Sequence, residues 1–122
     1  ACPGWVEAVE QADLRSSHTE ALLRQFVEPL MEQGADTLVL GCTHYPFLRD
    51  TLQRIVGDDV TLIDPAVAVA NELARRLGNN CRMDANNIGT TRFFTTGEVS
   101  HVQHAVAHLW GDQAIVEAMT LT

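Results

Sequence analysis

The chain has 122 residues, 46% of them hydrophobic and 20% charged, with a mean hydropathy close to zero; this describes one ordinary globular domain, or part of a larger one, long enough to bury a core. A net charge of −8 and a pI of about 4.9 argue against nucleic acid and anionic membrane surfaces as partners, and they require any carboxylate site to be built locally from N–H groups and hydroxyls. No apolar run reaches the ~18 residues of a membrane span, no signal peptide is visible, and three cysteines at no metal spacing make no disulfide framework, so the expected compartment is a reducing cytoplasm.

The first segment, Pro3 to about Gln11, reads as a short helix with Val6, Ala8 and Val9 among acids. Glu10 lies in it, and a glutamate there is ordinarily a solvated carboxylate. Ser17-His18-Thr19-Glu20 has capping-box spacing, and Leu22, Leu23, Phe26, Val27 and Leu30 follow as one apolar helical stripe that Gly34 ends. His18 falls in the exposed first turn. Leu38-Val39-Leu40 is a short continuous apolar run, the mark of a strand buried on both faces of a parallel sheet.

Beyond it, Pro46 suits a helix start, and Leu48, Leu52, Ile55 and Val56 form an amphipathic helix that stops at Gly57. Val60 to Ile63 is a second strand. Asp64 caps and Pro65 opens a further helix carrying Val67, Ala70, Leu73, Ala74 and Leu77, which ends near Gly78. Asn79 to Gly89 reads as a polar loop, with Cys81 as a surface thiol of no special role. Arg92 to Thr96 is a strand, Ser100 caps a helix running to about Trp110, and Ala114 to Leu121 is a last, weakly alternating strand. Alternating strands and helices give an α/β class with a mostly parallel sheet flanked by helices. His101, His104 and His108 share one helix face. No Cys or Asp interleaves with them, so a solvated face is expected and no metal.

The chemistry concentrates in Gly41-Cys42-Thr43-His44-Tyr45-Pro46, at the carboxyl end of the first strand, where open α/β sheets bind ligands. A lone cysteine after a strand is ordinarily a small buried hydrophobe. Here the thiol stands beside a helix start, which favours the thiolate, and beside an imidazole that can hold or pass its proton. The Thr43 hydroxyl and nearby N–H groups can receive a carboxylate. Such a set suits a nucleophile, or a base that removes a proton next to a carboxylate.

The string Leu-Val-Leu-Gly-Cys-Thr-His-Tyr-Pro over residues 38–46 resembles the second cysteine motif of bacterial glutamate racemases. Ala1-Cys2-Pro3, Val6 and Val9-Glu10 resemble the segment preceding it in that family, and Ile63-Asp64-Pro65 and Phe94-Thr95-Thr96-Gly97 also fit. Related aspartate racemases typically carry an acidic residue where His44 stands. The resemblance implies a two-lobed fold, with residues 1–64 finishing the second lobe and residues 65–122 returning to complete the first.

It also implies cofactor-independent interconversion of L- and D-glutamate for peptidoglycan. One thiolate removes the α-proton, and a second thiol returns one to the opposite face. Cys42 matches the second thiol of the pair, Thr43 a substrate contact, His44 the residue that tunes Cys42 and also touches substrate, and Glu10 an acid that orients the histidine. The family's other cysteine, in an Ala-Cys-Asn-Thr context, has no match, and Cys2 and Cys81 stand in other surroundings. The chain starts at Ala1 directly in a motif, which reads as a fragment or processed half. It is expected to be inactive alone, and either to form homo-oligomers or to need the N-terminal half. An aspartate-type racemase or related isomerase, and a non-catalytic binding domain of the same fold, are the alternatives.

Overall fold

The computed structural model describes residues 1–78, 90–111 and 113–121. Elements run in the order α1 (Trp5–Glu10), α2 (Ser17–Glu32), β1 (Thr37–Val39), a 3-10 turn (Tyr45–Leu48), α3 (Arg49–Val56), β2 (Thr61–Ile63), α4 (Ala66–Leu77), β3 (Phe93–Thr95), α5 (Val99–Leu109) and β4 (Val116–Ala118). The strands pair in parallel, as two separate two-stranded sheets. In the first, Leu38 faces Leu62 and Val39 faces Ile63; in the second, Phe93 faces Val116 and Thr95 faces Ala118. Parallel neighbours need a crossover connection, and α3 and α5 supply the two.

The core forms where α1, α2 and α3 cover one face of the first sheet. Trp5, Val9, Leu23, Val27, Leu40, Leu48, Leu52 and Leu62 make one buried cluster, with Leu109 of α5 packed against its margin. Thr19 and Thr51 are buried with it. Thr19 donates its hydroxyl to Asp13 O at 2.8 Å and Thr51 to Leu14 O at 2.7 Å, so neither polar group is orphaned.

Several expectations need correction. The first strand is not buried on both faces: Leu40 is buried and Leu38 half-buried, but Val39 is 63% exposed and its partner Ile63 43%. A continuous apolar run favours burial; whether a second layer arrives is decided by the rest of the fold. The cap of α2 is Ser16, not Ser17. Its Oγ accepts the Thr19 N–H at 3.1 Å while donating to Asp13 Oδ2 at 2.6 Å, a pairing open only to the residue three beyond Asp13.

Leu30, assigned to the inward stripe of α2, is exposed. Pro46 opens a 3-10 turn, and α3 begins three residues later. At α4 the cap position is held by Pro65, not Asp64; Asp64 Oδ1 accepts the Ala66 N–H at 2.9 Å, and α4 buries no residue. Glu98, not Ser100, occupies the cap position of α5. The last strand is confined to Val116–Ala118. The segment 79–89, with Cys81, lies outside the described residues.

Candidate active site

The loop after β1 is strung between two buried leucines, Leu40 and Leu48. Leu40 N–H donates to Ile63 O at 2.9 Å, extending the strand pairing by one residue, and Gly41 N–H turns back onto Val39 O at 3.0 Å. At the far end, the Arg49 guanidinium donates to Leu62 O at 2.9 Å and fixes the start of α3 to β2. Between these anchors Cys42 and His44 are half-buried, whereas Gly41 and Thr43 are exposed. The side chains of the turn therefore stand above the carboxyl end of the first sheet, open to a ligand.

Four residues singled out in the sequence are brought together there. Cys42 Sγ lies 4.0 Å from His44 Nδ1, and Thr43 Oγ1 lies 3.4 Å from the same nitrogen. The other ring nitrogen, His44 Nε2, stands 3.4 Å from Glu10 Oε1 at the end of α1. Glu10, His44 and Cys42 thus form one line, carboxylate to imidazole to thiol. A carboxylate oxygen only accepts hydrogen bonds, so it favours the proton on Nε2 and leaves the Nδ1 lone pair toward the thiol. With Glu10 well exposed, the contact is screened by water and orients the ring more than it contributes stability.

The imidazole also lines a cavity of about 700 Å³, together with Glu10, Phe47, His101 and His104 of α5, and Trp110 just beyond that helix. The periodicity of α5 gave His101 and His104 only a solvated face. Both are exposed, and the structure brings them to the same cavity as His44. Nothing in the local pattern could have shown this, because it depends on α5 packing beside α1. The His104 and His108 rings lie 4.6 Å apart, and His108 Nδ1 sits 3.2 Å from His104 O. Among the described residues no group of three or more His, Cys, Asp or Glu is placed to share a metal ion. Cys2 and Cys42 are both free thiols, and no helix among the described residues is long and apolar enough to cross a membrane.

Known proteins resemble this chain in sequence and in fold. The chain is 44% identical over 116 residues to a glutamate racemase of Stutzerimonas stutzeri, covering 95% of this chain and 44% of that protein. It is also 44% identical over 111 residues to a glutamate racemase of Methylococcus capsulatus, covering 90% and 41%. Among solved structures, glutamate racemase isoform RacE1 from Bacillus anthracis superimposes with a TM-score of 0.82 at 36% identity, over 99% of this chain and 46% of that one. The Thermus thermophilus glutamate racemase in complex with β-chloro-D-alanine gives 0.81 at 28% identity, over 99% and 46%. The chain thus spans a little under half the length of these relatives. Residues 1–73, well over half of it and including the whole Glu10–His44–Cys42 line, match the sequence model of Asp/Glu/hydantoin racemases, and the chain belongs to that family.

Proposed function

We propose that this chain is the part of a cofactor-independent glutamate racemase that works one face of the substrate, with Cys42 as the proton-transfer thiol. The observation that carries the reading is the line from Glu10 Oε1 through His44 to Cys42 Sγ. His44 Nδ1 accepts the thiol proton, and Glu10 holds the ring in the orientation that allows it. The thiolate takes the α-proton of glutamate, leaving the electron pair on the α-carbon, delocalised into the carboxylate. A thiol on the opposite face then returns a proton with inversion. Thiols suit both roles because their ordinary pKa lies near neutrality. Thr43, exposed beside His44, and the N–H groups of the turn receive the substrate carboxylate. Free Cys2 and Cys42 suit a reducing cytoplasm.

The opposite-face thiol has no candidate in this sequence, which contains no Ala-Cys-Asn-Thr string. Residues 1–64, with the β1–β2 sheet, would finish one lobe, and residues 65–122, with the β3–β4 sheet, would return to the other. The exposed Val39, Ile63, Val67, Leu73 and Leu77 are the kind of surface that self-association or an N-terminal half would cover.

The test is proton NMR of D- and L-glutamate in D2O, with the chain alone and then mixed with the N-terminal half of the Stutzerimonas stutzeri enzyme. The expected result is α-proton exchange and inversion in the mixture only, abolished by Cys42→Ala. Inversion by the chain alone, or a folded mixture in which Cys42→Ala keeps full activity, would overturn the reading.

A further inference from the structure

α1 brings Glu10 to His44, yet α1 has little of its own to hold it in place. It is six residues long, too short to be stable in isolation, and its cap residue Gly4 offers no side-chain hydrogen bond. What fixes the helix must come from its neighbours. One neighbour stands out because it belongs to the catalytic turn itself. The Tyr45 ring meets the Trp5 ring edge-on, with centroids 4.8 Å apart and planes at 63°. Trp5, the first residue of α1, is only 4% exposed. The Tyr45 Oη also accepts the Cys2 N–H at 3.1 Å, and Cys2 O accepts the Trp5 N–H at 3.3 Å. Both ends of the turn that leads into α1 are therefore gripped by one side chain.

That side chain is the immediate chain neighbour of His44. Burial pushes the Tyr45 phenol above its ordinary range, so it stays a neutral hydroxyl, and its oxygen accepts the Cys2 N–H. We infer that Tyr45 is a positioning residue: its ring and hydroxyl clamp the start of α1 to the turn, and so hold Glu10 against His44 Nε2 with Nδ1 facing Cys42. The inference rests on the relay proposed above and adds a component to it. Tyr45 acts by setting the separation of the two backbone segments that carry Glu10 and His44.

The experiment uses the whole chain and two readouts that do not need turnover. One is the tautomer of His44, read from its side-chain 15N shifts and assigned with His44→Gln. The other is the rate of Cys42 alkylation by iodoacetamide at neutral pH, followed by peptide mass spectrometry so that Cys2 and Cys81 are counted apart. Wild type should hold the Nε2–H tautomer. Tyr45→Leu, which keeps an apolar side chain without the aromatic pair or the acceptor, should mix the tautomers and slow alkylation about fivefold, as expected for loss of an aromatic pair. Tyr45→Phe keeps the ring and should lose only about twofold, the share of one neutral hydrogen bond.

In a Glu10→Gln background, Tyr45→Leu should add nothing, since both changes act on the same contact. A folded Tyr45→Leu with wild-type tautomer and rate, or a fully additive effect in the Glu10→Gln background, overturns the inference. Should Tyr45→Leu fail to fold by circular dichroism, Tyr45→Phe decides, and an unchanged rate and tautomer there overturns it. Failure of the relay looks different: Glu10→Gln would then leave both readouts at their wild-type values.

Discussion

The β1–β2 and β3–β4 regions are built on one plan, a parallel strand pair joined by a crossover helix, but among the described residues only the first encloses a core. Leu23, Leu48 and Leu52 are wholly buried between α1, α2, α3 and the β1–β2 sheet. In the second region neither α4 nor α5 buries a single residue, and among its described residues Ala114 and Val116 are the buried hydrophobics. Val67, Leu73, Leu77 and Ile115 point to water, although α4 carries as regular an apolar stripe as α2. An amphipathic pattern specifies that a helix has a face to cover. It does not specify that the cover lies within the same 122 residues.

The sharpest way to break this contrast is a pair of truncations. Leu52→Ala should cost about 3 kcal/mol through lost burial and the cavity left behind, and Leu73→Ala less than about 0.5 kcal/mol, both read from urea unfolding. Equal costs would mean that α4 is packed in solution. A smaller effect is expected at Gly4, whose φ of +88° lies in the left-handed region and where a Cβ would come 2.7 Å from Leu22 Cδ2. Gly4→Ala should destabilise by about 1–2 kcal/mol, seen as a lower urea midpoint with an unchanged slope.

Helix caps extend the contrast. Ser16→Ala removes the acceptor of the Thr19 N–H and should cost about 1 kcal/mol, whereas Glu98→Ala at the start of α5, where no side-chain cap bond exists, should be close to neutral. The smallest expected effect is a pH dependence. The hydrogen bond from Ser16 holds the Asp13 carboxyl below its ordinary range, despite an opposing push from desolvation. A depressed folded pKa means that this carboxylate adds stability above its unfolded pKa and loses it as pH falls through the folded value. Acid unfolding below about pH 4 should therefore be shallower in Asp13→Asn. An unchanged acid limb would show that the Asp13–Ser16 bond contributes nothing in solution.

Much of the site could be read from the chain, and the unread parts share a cause. The strand-turn placement of Cys42, Thr43 and His44 followed from Leu38-Val39-Leu40 running into Gly41 and Pro46, all local signals. Glu10 is far from His44 in sequence, and residue chemistry alone made it a solvated carboxylate; only the resemblance of Val9-Glu10 to a family segment marked it. The 3.4 Å approach of Glu10 to His44 is a fact of how α1 packs on the 3-10 turn. The choice of Ser16 over Ser17 turned on the reach of Asp13, and the exposure of Val39 on a layer that the described residues do not supply. In each case the deciding atom belongs to another segment, which periodicity and propensity do not describe.

The aromatic residues carry a consequence of another kind. The chain has one tyrosine and two tryptophans. Trp5 is buried with the Tyr45 ring against it, whereas Trp110, 69% exposed, lines the cavity. Their emission should separate, blue for the sheltered indole and red for the wet one, and light absorbed by Tyr45 should pass to Trp5 instead of leaving as tyrosine fluorescence. The molecule thus has an internal lamp beside the Cys42–Tyr45 turn and another at the rim of the cavity. Return of tyrosine emission would signal that the turn and α1 have parted while the rest of the fold still stands.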